Sequence, residues 1–216
     1  MECCILMVEL ALRCFDHMRD LESSTPKHGF WDSHYALVQK TDQRFVMLQA
    51  HLNAKSLRED PIAFSLYMNL RATEIAFHEA AIAQAQKQGL PMMMAAESQR
   101  RSMLAAGKIA NAVRLNYPTQ RAERDIFMLQ ATFIAWPLVM AMKALSLQLL
   151  APPAQAQAQR RDQDQALNGV ELSLRLLLSA LDCVEDAGGY WHSSVAAVAR
   201  ILQEWDEKNG AFDMTL

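Results

Sequence analysis

Turn-forming residues are scarce in this chain. Its 216 residues include seven glycines and seven prolines, about half the combined share usual in soluble proteins. A many-stranded sandwich or barrel needs a turn roughly every 8–12 residues, so that class is excluded. Cysteine is sparse as well: Cys3, Cys4, Cys14 and Cys183 are all there is. None has CxxC spacing and no histidine stands at ligand spacing from them, which argues against a zinc site. Adjacent Cys3 and Cys4 suit a reduced helix better than a disulfide framework, so an intracellular, cytoplasmic protein is expected. Basic residues are not in excess: 21 Lys and Arg face 24 Asp and Glu, for a net charge of −3. They do not gather into a phosphate-tracking patch, and no direct nucleic-acid partner is expected of these residues.

The motifs of common catalysis are missing too. No serine sits in a GxSxG elbow, no glycine-rich loop could cradle a phosphate, and no paired-carboxylate motif stands out. Asp182, Glu185 and Asp186 read as a solvated helix face. No metal and no cofactor is therefore expected. Residues 126–142 form a run of 17 without a charge, but it carries Gln130, Thr132 and Pro137 and sits at the lower edge of bilayer-spanning length. Residues 3–12 are apolar but are interrupted by Glu9 and lack a basic leader, which is not the pattern of a signal peptide. No membrane span is expected.

What the chain does have is apolar residues, 51% of the total, in helical spacing throughout. The periodicity predicts an all-α, single compact bundle of about seven helices over residues 1–216. Their approximate bounds are 2–20, 31–52, 61–88, 95–115, 120–149, 162–186 and 191–208. Asp60 is a good N-cap and Pro61 a good first helical residue. Gly89 should stop that helix and Pro91 keep it from resuming. Pro137 lacks a backbone donor, so a kink is expected there. Residues 151–161, with Pro152-Pro153 and alternating Ala-Gln, read as a flexible connector. Leu174, Leu177, Leu178 and Leu181 form a clean buried stripe.

The helix that starts at Pro61 is apolar on several sides, yet Tyr67, Arg71, Glu74 and His78 fall at i, i+4, i+7 and i+11 and make one polar stripe. Glu74 can accept from both Arg71 and His78. A buried polar stripe must be satisfied internally or face a cavity. One reading is a structural network that locks this helix to its neighbours. The other is a catalytic set in a pocket, with Arg71 and His78 binding a carbonyl or carboxylate, Glu74 orienting them and Tyr67 offering a hydroxyl. Trp31 and His34 share a face of the preceding helix, where a histidine is ordinarily a satisfied packing residue. Phe133, Trp136 and Met140 lie around Pro137, and Met128 and Met142 follow the same helix. Methionines fill core gaps but also line adaptable apolar sites, and a Trp beside a helix proline is a common border of a cavity. Trp31, His34, Phe133, Trp136 and Met140 are thus the candidate ligand-binding residues.

Several segments carry a resemblance when taken in order. They are FWDSH at 30–34, REDPIAFSLYMNLRATEIAFHEAAI at 58–82, SQRRSMLAAGKIA at 98–110, FIAWPL at 133–138 and VAAVARILQEW at 195–205. This chain resembles the C-terminal part of the helical regulatory domain of fungal zinc-cluster transcription factors. The resemblance implies a helical shell that senses small molecules or contacts partners. These residues contain neither the six-cysteine cluster that binds DNA in that family nor the front half of its regulatory domain.

Two functions follow as expectations. The first is a stand-alone, cofactor-independent cyclase, of the Diels–Alder or another pericyclic type, acting on an apolar terpenoid or polyketide in a fungal natural-product pathway. Holding a flexible substrate and polarising one carbonyl suffices for such a step. The alternative is a ligand-sensing or co-regulatory protein of fungal transcription, nuclear and not itself DNA-binding. An apolar small molecule is the partner common to both, and a homodimer is compatible with either.

Overall fold

A computed structural model describes residues 2–19, 29–48, 51–117, 131–150, 160–184 and 192–213. These form eight helices and no strand among the described residues: α1 (Glu2–Arg19), α2 (Phe30–Leu48), α3 (Ala54–Glu59), α4 (Pro61–Lys87), α5 (Met92–Asn116), α6 (Ala131–Leu149), α7 (Arg160–Val184) and α8 (His192–Asp213). The all-α expectation holds. The chain divides into two compact units, Met1–Ala105 and Ala106–Leu216, with α5 running through the boundary.

The bounds of α4 follow from its ends. The Asp60 carboxylate accepts from the Ile62 amide at 2.9 Å, and Pro61 takes the first turn, where its missing N–H costs nothing. At the other end Gly89 has φ +62°, the left-handed conformation that glycine adopts most readily. The short helix α3 was not predicted. Its start is visible in hindsight, since the Asn53 side chain accepts from the Lys55 and Ser56 amides, but six residues are too few to show periodicity. The predicted segment 120–130 and the expected connector at 151–159 lie outside the described residues. Pro137 is buried within α6, and the helix continues from Ala131 to Leu149 on both sides of it.

In the first unit α4 is the central element, packed by α1 and α3. Phe64, Met68, Leu70, Ile75 and Phe77 point in different directions from its axis and are all at most 3% exposed. Met7, Leu10 and Cys14 of α1 meet Leu48 of α2 and Leu70 and Phe77 of α4 in one apolar cluster. Spacings of three and four put those α1 residues on a single face.

In the second unit α6 packs on α7 and α8. Helix α7 buries Val170, Leu174, Leu177, Leu181 and Val184, a steps-of-four-and-three stripe that gives a continuous seam. Leu178 lies at its half-buried border. Arg175 of α7 reaches both Asp206 oxygens on α8, at 2.6 and 2.7 Å, and also bonds Glu171. Tyr117 closes the far end of α5 on α7, its hydroxyl 2.7 Å from the Ser179 hydroxyl.

Two substitutions test this frame. Leu177→Ala removes a side chain with no solvent exposure and should destabilise by about 2–5 kcal/mol. Asp60→Ala should cost about 1 kcal/mol through the lost cap. Urea unfolding followed by circular dichroism reads both, and equal effects from the two would contradict the packing described.

Candidate functional site

The polar stripe of α4 divides into two groups. Arg71 donates to Glu74 at 2.8 Å, and both side chains are about nine-tenths buried. The Arg71 guanidinium lies 3.6 Å from the ring centre of Phe45 on α2 and 5.2 Å from that of Tyr67. The cation is thus held between two aromatic faces and one carboxylate, a geometry that suits the flat guanidinium. Tyr67, Arg71 and Glu74 therefore come together, with Phe45 as their contact on α2.

His78 does not join them. It is 3% exposed and packs edge-on to His34 of α2, with ring centres 5.6 Å apart. His34, 1% exposed, stacks on Phe77 at 4.2 Å. His17 of α1 completes the group: it stacks on Phe30 at 4.6 Å, lies 5.6 Å from His34, and its Nδ1 is 3.3 Å from the Ser33 hydroxyl. Trp31 stands at the border of this cluster, 6.1 Å from His34, and donates its indole N–H to the Gln88 side chain at the end of α4. Three helices are thus joined through rings around Phe77.

His17, Phe30 and Phe45 were not singled out in the sequence. His17 had a usable signal, because it extends the buried α1 stripe of Met7, Leu10 and Cys14 by three residues and is a polar residue on an apolar face. Phe45 had none, since nothing local marks the aromatic that will cover an arginine on another helix.

Burial controls the ionisation of this cluster. It lowers His34 to about 3, with His78, His17 and Arg101 adding to the effect. It lowers His78 to about 4, helped by Arg101 and opposed by Asp42 and Glu97. Both rings are neutral at neutral pH. The Cys14 thiol is pushed up to about 12, first by burial, so it stays protonated and inert as a nucleophile. Among the described residues, the Nδ1 atoms of His34 and His78 and the Nε of Arg71 are buried without a hydrogen-bond partner. No group of three or more potential ligands converges on a metal position among the described residues.

The α6 candidates lie in the second unit. Phe133 is 61% exposed, while Trp136 and Met140 are half-buried. Their spacings of three and four place them on one partly exposed helix face. The stripe on α4 and this face belong to separate units. A groove of about 320 Å³ lies elsewhere in the second unit, between α5 and α7.

The all-helical fold suits the resemblance that these motifs carry, and comparison with known proteins supports that resemblance. The chain is 54% identical over 211 residues, 97% of its length, to a "Depudecin biosynthesis cluster-specific transcription activator" of Alternaria brassicicola. It is 53% identical over 217 aligned positions, 99% of its length, to the activator of the same name from Fusarium langsethiae. The resemblance to fungal transcription factors is therefore shown. The chain spans 30% and 33% of the length of these curated relatives. No protein-family model matches it, and no solved structure does.

These relatives overturn the expected cyclase. Both are named as transcription activators, and residues suited to polarising a carbonyl are also suited to joining helices. Tyr67, Arg71, Glu74 and His78 are accordingly not assigned catalytic roles. The expected apolar small molecule and the homodimer gain no support from the geometry or the relatives. Among the described residues no helix is long and apolar enough to cross a membrane.

Two predictions follow. An imidazole held at 3–4 in the folded state and near 6.5 when unfolded makes the unfolded chain bind more protons below pH 6.5. Stability is complete above that value and is lost as pH falls toward 4. Urea unfolding at pH 7.5 and 5.5, above the carboxylate range, should show the loss, and His34→Phe with His78→Phe should flatten it. An unchanged pH slope in that double variant would contradict the assignment. Separately, Arg71→Ala leaves Glu74 buried without its cation and should cost about 3–5 kcal/mol. Arg71→Met combined with Glu74→Leu should recover most of that loss in the same assay.

Proposed function

We propose that this chain is a regulatory region of a fungal transcription activator for a biosynthetic gene cluster, working in the nucleus through contacts other than those with DNA. The observation that carries this reading is the 54% identity along 97% of the chain to an activator so named.

The charge arrangement favours a role away from DNA. Arg100 and Arg101 are tied to Glu97, and Arg101 also to both oxygens of Asp42. Arg175 is held by Glu171 and Asp206, Arg13 by Glu9 and Arg19 by Asp16. A surface that tracks phosphates presents its arginines uncompensated along one face. Here these five arginines are each offset by a neighbouring carboxylate. Under this reading the Arg71 pair and the histidine cluster serve to hold α1, α2 and α4 in one arrangement.

The test has two arms. Fused to a heterologous DNA-binding domain in a fungal host, the 216-residue chain should change transcription of a reporter several-fold relative to that domain alone. In gel-shift titrations the chain by itself should leave duplex DNA unshifted up to about 10 μM, the range in which non-specific DNA binders already act. An unchanged reporter overturns the regulatory role. A shift that weakens steeply with salt overturns the exclusion of DNA.

A further inference from the structure

The groove between α5 and α7 is built from two matching stripes. It is lined at positions 107, 110, 111 and 114 of α5 and at positions 169, 172, 173 and 176 of α7. Each set follows i, i+3, i+4 and i+7, one face of a helix over about two turns. Three residues beyond each set, Tyr117 and Ser179 are bonded at 2.7 Å, which ties the two helices together beyond that end of the groove. The space between them, about 320 Å³, is open rather than enclosed, and Leu172 on its wall is 66% exposed.

The glycines are the unusual feature. Gly107 and Gly169 each begin one stripe, and both are in helix interiors, where glycine is less stable than alanine. Neither has a positive φ. A methyl group built on either would meet nothing within 4 Å. Among the described residues no neighbour requires them to be small, and they leave both backbones open to a partner that approaches from outside. The two walls differ in chemistry: Leu172 and Leu176 line the α7 side, Asn111 and Arg114 the α5 side. Arg114 bonds the neutral Asn111 side-chain oxygen at 2.8 Å and has no carboxylate partner among the described residues. That contrasts with Arg100, Arg101 and Arg175, each of which has at least one.

We infer that this groove docks an amphipathic α-helix of a partner protein, with an apolar stripe laid against Leu172, Leu176 and the two glycines and a carboxylate directed at Arg114. Two helix faces of matching spacing, one on each wall of the groove, suit a third helix. The glycines let that helix come close, and the cation selects an acidic flank over a basic one. The inference goes beyond the regulatory reading and does not depend on it, because the groove is tested on the chain alone.

The probes are two fluorescein-labelled, side-chain-stapled helical peptides of about 14 residues, enough for the two turns of the groove with flanks. Both carry leucines at i, i+3, i+4 and i+7; one is flanked by glutamates and the other by lysines. Fluorescence anisotropy with the 216-residue chain should show the glutamate peptide binding about five-fold tighter than the lysine peptide, the scale of one exposed charge contact. Arg114→Glu should reverse that order. Gly107→Ala and Gly169→Ala should raise Tm by about 2 °C each, since alanine is the better helix former and meets no clash, yet weaken peptide binding. That opposite pair of effects separates a docking groove from a merely structural one. Undetectable binding of the glutamate peptide, equal binding of both peptides, or alanine variants that bind as tightly as wild type would overturn the inference. So would light scattering that shows a dimer dissociated by Gly169→Leu, because the occupant would then be a second copy.

Discussion

A helix segment buried on most sides leaves few polar groups to water, and the middle of α4, from Met68 to His78, is such a segment. Its apolar residues point in several directions, so its buried polar side chains depend on contacts from the protein itself. Arg71 and Glu74 answer each other in a short ion pair, and Phe45 and Tyr67 cover the faces of the guanidinium. His78 turns to the rings of α2 instead. The arrangement of α1 and α2 around α4 follows from where these partners must stand. Breaking one half of the ion pair leaves a charge stranded, whereas replacing both halves leaves a packed core, so the pair specifies geometry more than it adds stability.

The histidines show the same constraint acting on protonation. An imidazole stacked between aromatic rings has no water to solvate a positive charge, so His34 and His78 remain neutral well into the acid range. Neutral histidines in such a setting behave as flat packing residues with a polar edge. That is a poor state for a proton donor near neutral pH and a good one for joining three helices. The chemistry of the cluster therefore suits the reading proposed above, in which it holds helices together.

The surface differs between the units. The first displays arginines already bonded to carboxylates, as on Glu97 and Asp42. The second contains a groove with one arginine lacking such a carboxylate among the described residues and two glycines with open space above them. Where the described residues are helical nearly throughout, contacts with other helices suit the surface, because ridges and grooves at spacings of three and four are already present on each element.

Much of this fold could be read in the sequence. Helical periodicity, the Asp60-Pro61 start, the Gly89 stop and the Leu174–Leu177–Leu181 stripe all depend on neighbours within a few residues, and local physics decides them. The family resemblance was legible for a related reason, since core positions keep their order along the chain. Helix α3 was too short to leave a pattern. The site was only half legible: a polar stripe on an apolar helix announces that partners exist without saying which. Whether Glu74 bonds His78 or Arg71, whether Phe45 lies over a guanidinium, and whether Gly107 faces Gly169 across a groove are contacts between residues distant in sequence. The chain by itself determined the helices and their buried faces. Tertiary structure alone decided the partners, because side chains meet across helices only once the helices have packed.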